Sequence, residues 1–548
     1  MYHGLSTTYK IKYTMKNIKY LLLSAILVAF TACSDDDYDY NPAPEPLPEL
    51  TAGSVDFSKY VAVGASFSAG FTDNALFIAG QENSFPNILA KTFTNVGGTG
   101  FSQPLMGDNI GGFLVNGNVA SAPRLFFNGS APQVLPATPT TEITSHLSGP
   151  FNNYGIPGAK SFHLGIPGYG ALNPYFGRMA SSATATVIGD AVAQNATFFT
   201  LSEIGGNDVL AYATSGGTGV YQLGNMDPSS YGSSDITDPT VFAVSFKAAV
   251  NALTSNGAKG AVANVPYITN LAHFTTVPHN PLSPTNPAFG PQIPMLNSIF
   301  GALNQIFTAI DPSRVIVFSE TAASAVVIKD ESLTNIAPQI AGALNASPTF
   351  PAFIAQFGLP PQAAPLVANL LASTYGQARQ ATADDLLVLP SSSIIGTVNT
   401  ASVAALMAQG LSQELAGQFS VEGVTLPLAD KWVLIPSEQA DIRSATDQYN
   451  QTIETIAAEY DLALVDFKSI LQTASTTGLS DGNFILTTAL VRGGLISLDG
   501  VHLTSRGYAA MANEFLKAID AKYGSNFVAA GYKADLGAYP TNYSVTFR

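Results

Sequence analysis

Short apolar runs recur along the chain, and several stop at a glycine or a small polar residue. Tyr60-Val-Ala-Val63 ends in Gly64-Ala65-Ser66, and Ala196-Thr-Phe-Phe-Thr-Leu-Ser202 ends in Glu203-Ile-Gly-Gly-Asn207-Asp208. Gly260 to Val265 and Leu462 to Phe467 have the same character. Such runs predict strands buried on both faces. Val315 to Phe318 and Lys431 to Ile435 read as further short strands. Between them lie amphipathic stretches that predict helices: 184–194, Val241 to Asn256, Met295 to Ile310, Glu438 to Tyr460 and Ala509 to Lys522. Strands alternating with helices predict a parallel sheet covered on both faces.

Two regions break the alternation. Residues 75–150 are rich in Gly, Asn, Pro and Phe and predict loops with short strands. The alanine-rich helical pattern of about 270–428 predicts an insertion or helical cap. Its apolar stretches, Ile340 to Leu371 and Val403 to Leu415, suit either ordinary packing or an acyl chain, and Phe113, Phe126, Phe127 and Phe176 are candidates to line a slot. The chain folds from about residue 55 to its end, residue 548.

The first 32 residues follow a different plan. Basic residues precede an apolar run, Tyr20 to Ala32, that is short for a membrane span and ends in small residues. Cys33, the only cysteine, follows directly, so no intrachain disulfide can form. Phe30-Thr-Ala-Cys33 resembles the lipobox of bacterial lipoproteins, which implies a signal peptide over 1–32 and a lipid anchor on Cys33. Residues 33–54 are an acidic and proline-rich linker. Its Ser34-Asp-Asp-Asp37 resembles the surface-export signal of Bacteroidetes lipoproteins. An outer-membrane, cell-surface location is the expectation that follows.

Charge narrows the partners. The formal net charge of −15 becomes about −19 once the four lysines of the leader are set aside. That surface repels nucleic acid and disfavours strongly anionic ligands. No histidine pair has the i, i+4 spacing of a zinc helix, and neither a metal nor a cofactor is expected.

The candidate chemistry lies at strand ends. A serine hydroxyl after a buried strand sits where open α/β folds keep their ligand sites. In Leu498-Asp499-Gly-Val-His502 the acid three residues before the histidine can bend back to one ring nitrogen, leaving the other free to take a proton. Asn207, at another strand end, can aim a side-chain N–H at a developing oxyanion, and Gly158 can let a backbone N–H approach a ligand closely.

Gly64-Ala-Ser66, Asn153-Tyr-Gly-Ile-Pro-Gly158, Gly205-Gly-Asn207-Asp208 and Asp499-Gly-Val-His502 stand in the order of the four blocks of the SGNH (GDSL-type) hydrolases, which this chain resembles. The resemblance implies a flavodoxin-like α/β/α sandwich with a parallel central sheet, here carrying the large, mostly helical insertion. It implies a serine esterase or lipase with Ser66 as nucleophile, His502 as base and Asp499 as its orienter. The Ser66 N–H, the Gly158 N–H and the Asn207 side chain would form the oxyanion hole, and the partner would be a small-molecule, lipid or glycan ester. Two further readings are a glycan O-deacetylase of the same fold and a catalytically silent surface binding protein. Two departures stand out. Ala65 replaces the aspartate usual before the serine, and 292 positions separate Asn207 from Asp499.

Overall fold

The computed structural model describes residues 46–548; the leader, Cys33 and the acidic cluster after it lie outside them. The body from Glu49 onward is built around one parallel sheet of five strands. These are β1 (Tyr60–Gly64), β2 (Asn153–Gly155), β3 (Phe198–Leu201), β4 (Lys259–Ala263) and β5 (Ala463–Val465). Their spatial order is β5-β4-β3-β1-β2. Val63 pairs with Tyr154 on one side and Leu201 on the other, so the ends of β1, β2 and β3 lie side by side. β1 and β3 are buried at every residue, which is why both read as unbroken apolar runs.

Two groups of helices flank the sheet. α1 (Phe85–Phe93) packs with α6 (Ser505–Tyr523), while α2 (Pro239–Thr254) packs with α4 (Pro436–Glu459); α5 (Phe467–Thr476) follows β5. Aromatic rings join the layers: Phe198 of β3 meets Phe93 and Tyr523, and Phe242 stacks on Tyr449. Thr504 caps α6 by accepting the Gly507 N–H.

The structure corrects several expectations. Asn153-Tyr-Gly155, which is not among the predicted strands, is the edge strand β2. Helix α1 rises from a segment read as loops, beside two short hairpins. Val315 to Phe318 is not a strand: the Ile316 and Phe318 N–H groups donate to the side chains of Asn304 and Asn297, on helix α3 (Ile293–Ile310). Val433–Leu434 pairs antiparallel with Leu386–Leu387, away from the central sheet. The chain is tied down before residue 55, because Asn526 donates to the Glu49 carbonyl and accepts the Thr51 N–H.

The insertion has a hydrophobic core of its own. Ile293, Phe300, Phe307, Ile340, Leu344 and Tyr375 belong to a cluster distinct from the one around the sheet. Its helices therefore bury much of their apolar surface against one another.

Candidate active site

In a sheet of this order, β1 lies where the strand order reverses, the position at which open α/β sheets leave a crevice. Ser66 stands there, one residue beyond the sharp turn at Ala65 and at the start of a four-residue helical turn. Gly64 makes the turn possible, because a Cβ at that position would overlap Ser68 Oγ and the Glu203 carboxylate. The hydroxyl of Ser66 lies 3.0 Å from His502 Nε2. His502 Nδ1 lies 3.0 Å from Asp499 Oδ2.

The acid is held from several sides. Asp499 Oδ1 accepts the N–H groups of Val501 and His502, each at 2.8 Å, and Oδ2 also accepts the Asn74 N–H at 2.8 Å. Burial alone would raise its carboxyl pKa, but the His502 ring and these N–H groups outweigh it and hold Asp499 well below the usual carboxylate range. It stays ionised and accepts a hydrogen bond from the His502 Nδ1–H. The His502 ring is flanked by Phe71 at 4.5 Å and Phe67 at 5.7 Å between ring centres, which fixes its plane.

Three donors of the kind an oxyanion needs are present. Among the described residues, neither the Ser66 nor the Gly158 N–H donates to a protein backbone acceptor. Gly158 has φ +79, a left-handed conformation that favours glycine. Asn207 gives one amide hydrogen to the Ala159 carbonyl at 2.9 Å, which orients the side chain and leaves its second N–H free. Asp208 accepts from both the N–H and the hydroxyl of Ser161, at 2.9 and 2.7 Å, and so locks the Asn207 turn to the Gly158 turn. Ser66, His502 and Asp499 are thus joined by hydrogen bonds, Asn207 borders the same cavity as Ser66, and the Gly158 turn is tied to Asn207; Cys33 lies outside the described residues.

Asn207→Ala is expected to lower turnover by on the order of 10²–10³ while KM changes little, because a donor aimed at the oxyanion acts mainly in the transition state. Steady-state kinetics on a soluble ester check this; unchanged turnover would remove Asn207 from the oxyanion hole.

Sequence reading missed the support around the triad. Asp73 Oδ1 accepts the Leu498 N–H at 3.1 Å, tying the segment after Ser66 to the Asp499 turn. Burial raises Asp73 to about 7. Glu203 is half-buried beside Ser66 and accepts the Ala65 and Ser68 N–H groups at 2.6 and 2.8 Å. The one local hint in the sequence is a charged residue just after a buried strand. Away from the site, Glu331, Asp430 and Glu438 bring three carboxylates within 4.8 Å of one another, a set that could hold a cation. Burial, then the neighbouring carboxylates, raises Glu438, so a proton can serve there instead.

Two cavities adjoin the site. A narrow one of about 100 Å³, almost wholly apolar, is bordered by Ser66, Asn207, Leu210, Ile268, Val501 and Met511. A larger one of about 1070 Å³ does not include Ser66; it lies between the insertion and the catalytic turn and reaches Asn74 and Asp499. No Lys, Arg or Glu lines it. None of Phe113, Phe126, Phe127 and Phe176 borders either cavity, which corrects the expected slot. Phe176 is fully buried in the core, and Phe113 packs on Tyr175. Comparison of the chain with protein-family models, with curated proteins and with solved structures gives no match.

Proposed function

We propose that this chain is a serine hydrolase of carboxylic esters, of the SGNH type that its four sequence blocks resemble. The observation that carries the reading is the Ser66–His502–Asp499 relay, with both links at 3.0 Å and the acid ionised. His502 Nε2 takes the Ser66 proton as Oγ attacks the ester carbonyl. The carbonyl oxygen becomes an oxyanion that meets the Ser66, Gly158 and Asn207 donors. His502 then gives its proton to the departing alcohol, leaving an acyl-serine. Water, deprotonated by the same ring, releases the acid and restores Ser66. The strand order, read as 2-1-3-4-5, is the order of flavodoxin-like sheets and supports that fold.

The cavities favour one kind of ester. A slot of about 100 Å³ beside Ser66 is smaller than the roughly 150 Å³ apolar cavity that accepts benzene, so it suits an acyl group of a few carbons. The larger cavity carries no Lys, Arg or Glu; its ionisable groups are His273 and Asp499, the latter already held by His502, so it suits a bulky, uncharged group. The chain would then act on short-chain esters of a neutral alcohol. The glycan O-deacetylase reading shares the short acyl group but calls for a more polar lining. On the sequence evidence, the enzyme works at the cell surface, anchored to the outer membrane through Cys33.

Rates on p-nitrophenyl esters of increasing acyl length test the reading. The expected order has kcat/KM highest from acetyl to butyryl and at least about tenfold lower at octanoyl, since overfilling a well-packed site costs roughly 1–3 kcal/mol. Activity that climbs toward palmitoyl would instead favour a lipase with a long acyl tunnel.

A further inference from the structure

Glu203 is an unusual residue to find at the end of a buried strand. It has φ +49, a left-handed backbone that non-glycine residues rarely adopt. The residue is half-buried and borders the narrow cavity; no Lys, Arg or His among the described residues forms an ion pair with it, and the neutral Ser68 and Ser202 hydroxyls are the side chains that face its carboxylate. An acid without a cationic partner, half-buried in a strained turn, is costly unless it does something. Both bonds made by its other oxygen go to the turn that carries Ser66: the N–H before the serine and the N–H two residues after it. These groups open a helical turn too short to satisfy its own donors, and Ala65 has no side-chain acceptor to offer.

We propose that Glu203 is a positioning residue for the nucleophile, gripping the Ala65 and Ser68 N–H groups from the neighbouring strand and so compensating for the absence of an acid at position 65. The inference rests on the reading of Ser66 as nucleophile. Clamping both sides of Ser66 fixes the direction of Oγ toward His502 and of the Ser66 N–H toward the oxyanion. The acid also titrates in the working range, because burial raises it to about 7. The titratable groups facing it are Tyr60 from β1 and Tyr508 from α6; burial pushes both phenols up, so both are neutral there. Glu514 borders the same narrow cavity, and His502 and Asp499 lie beyond Ser66. Below about pH 7 Glu203 is a neutral acceptor; above it, a negative charge sits beside the oxyanion donors and opposes the charge that develops there.

The test compares Glu203→Ala and Glu203→Gln with wild type by the rate of Ser66 labelling with a fluorophosphonate and by steady-state hydrolysis of p-nitrophenyl acetate, with thermal melting as the control for folding. Glu203→Ala should lose on the order of tenfold to a hundredfold in labelling rate and kcat with KM nearly unchanged, the scale of a misplaced reacting group. Glu203→Gln keeps an acceptor for both N–H groups and should stay within about threefold of wild type at pH 6. As pH rises from 6 to 9, the Gln variant should gain on wild type by about three- to tenfold, since it carries no charge to oppose the oxyanion. A merely structural role would not produce that drift. Glu203→Ala labelled at the wild-type rate would overturn the proposal, and so would a folded Gln variant as impaired as Ala or a Gln-to-wild-type ratio flat across pH. A folded wild type that is not labelled would remove the hydrolase reading itself, which separates the two failures.

Discussion

Ser66→Ala is expected to lower ester turnover by on the order of 10⁶ while the protein folds and binds as before. The size of the loss follows from the mechanism. Every chemical step passes through Oγ, and the donors left behind can stabilise only an attack by water. The change is small for the fold, because the methyl group fits the same space and the lost bond is the one to His502. Residual activity should therefore be measurable only with concentrated enzyme. A variant that kept more than a few per cent of wild-type turnover would mean that another group performs the attack.

Asp499→Asn should cost on the order of 10⁴ in kcat. The asparagine oxygen can still accept the Val501 and His502 N–H groups, so the turn survives. Its amide nitrogen, however, now faces His502 Nδ1 and the Asn74 N–H, where an acceptor is required. The ring is driven toward the tautomer that carries its proton on Nε2, which cannot take one from Ser66. Turnover over a range of pH checks this: the deficit should be large at neutral pH with the melting temperature little changed. Loss of folding in the same variant would assign Asp499 to the architecture instead.

The proposed catalytic residues could be picked out in the sequence because the requirements of such a site are local. A buried strand that stops at a serine, and an acid three residues before a histidine at a helix start, each carry their geometry in a few residues. β1, β3, β4 and β5 were legible as apolar runs for the same reason. The edge strand β2 was not, since Asn153-Tyr-Gly155 has the composition of a turn and gains its pairing only from β1. The short runs at 315–318 and 431–435 misled in the opposite direction: four or five apolar residues fit a strand of the main sheet, a separate ladder or a segment satisfied by side chains, and only the fold decides. Glu203 shows the limit most clearly. Its two bonds cross about 135 positions of sequence, to Ala65 and Ser68, and nothing near it announces them.

The most direct test of the account is fluorophosphonate labelling of the folded protein, with the modified residue located by peptide mass spectrometry. The account predicts a single adduct on Ser66, lost in Ser66→Ala and slowed in Asp499→Asn. No adduct on folded protein, or an adduct on a different serine, would contradict it.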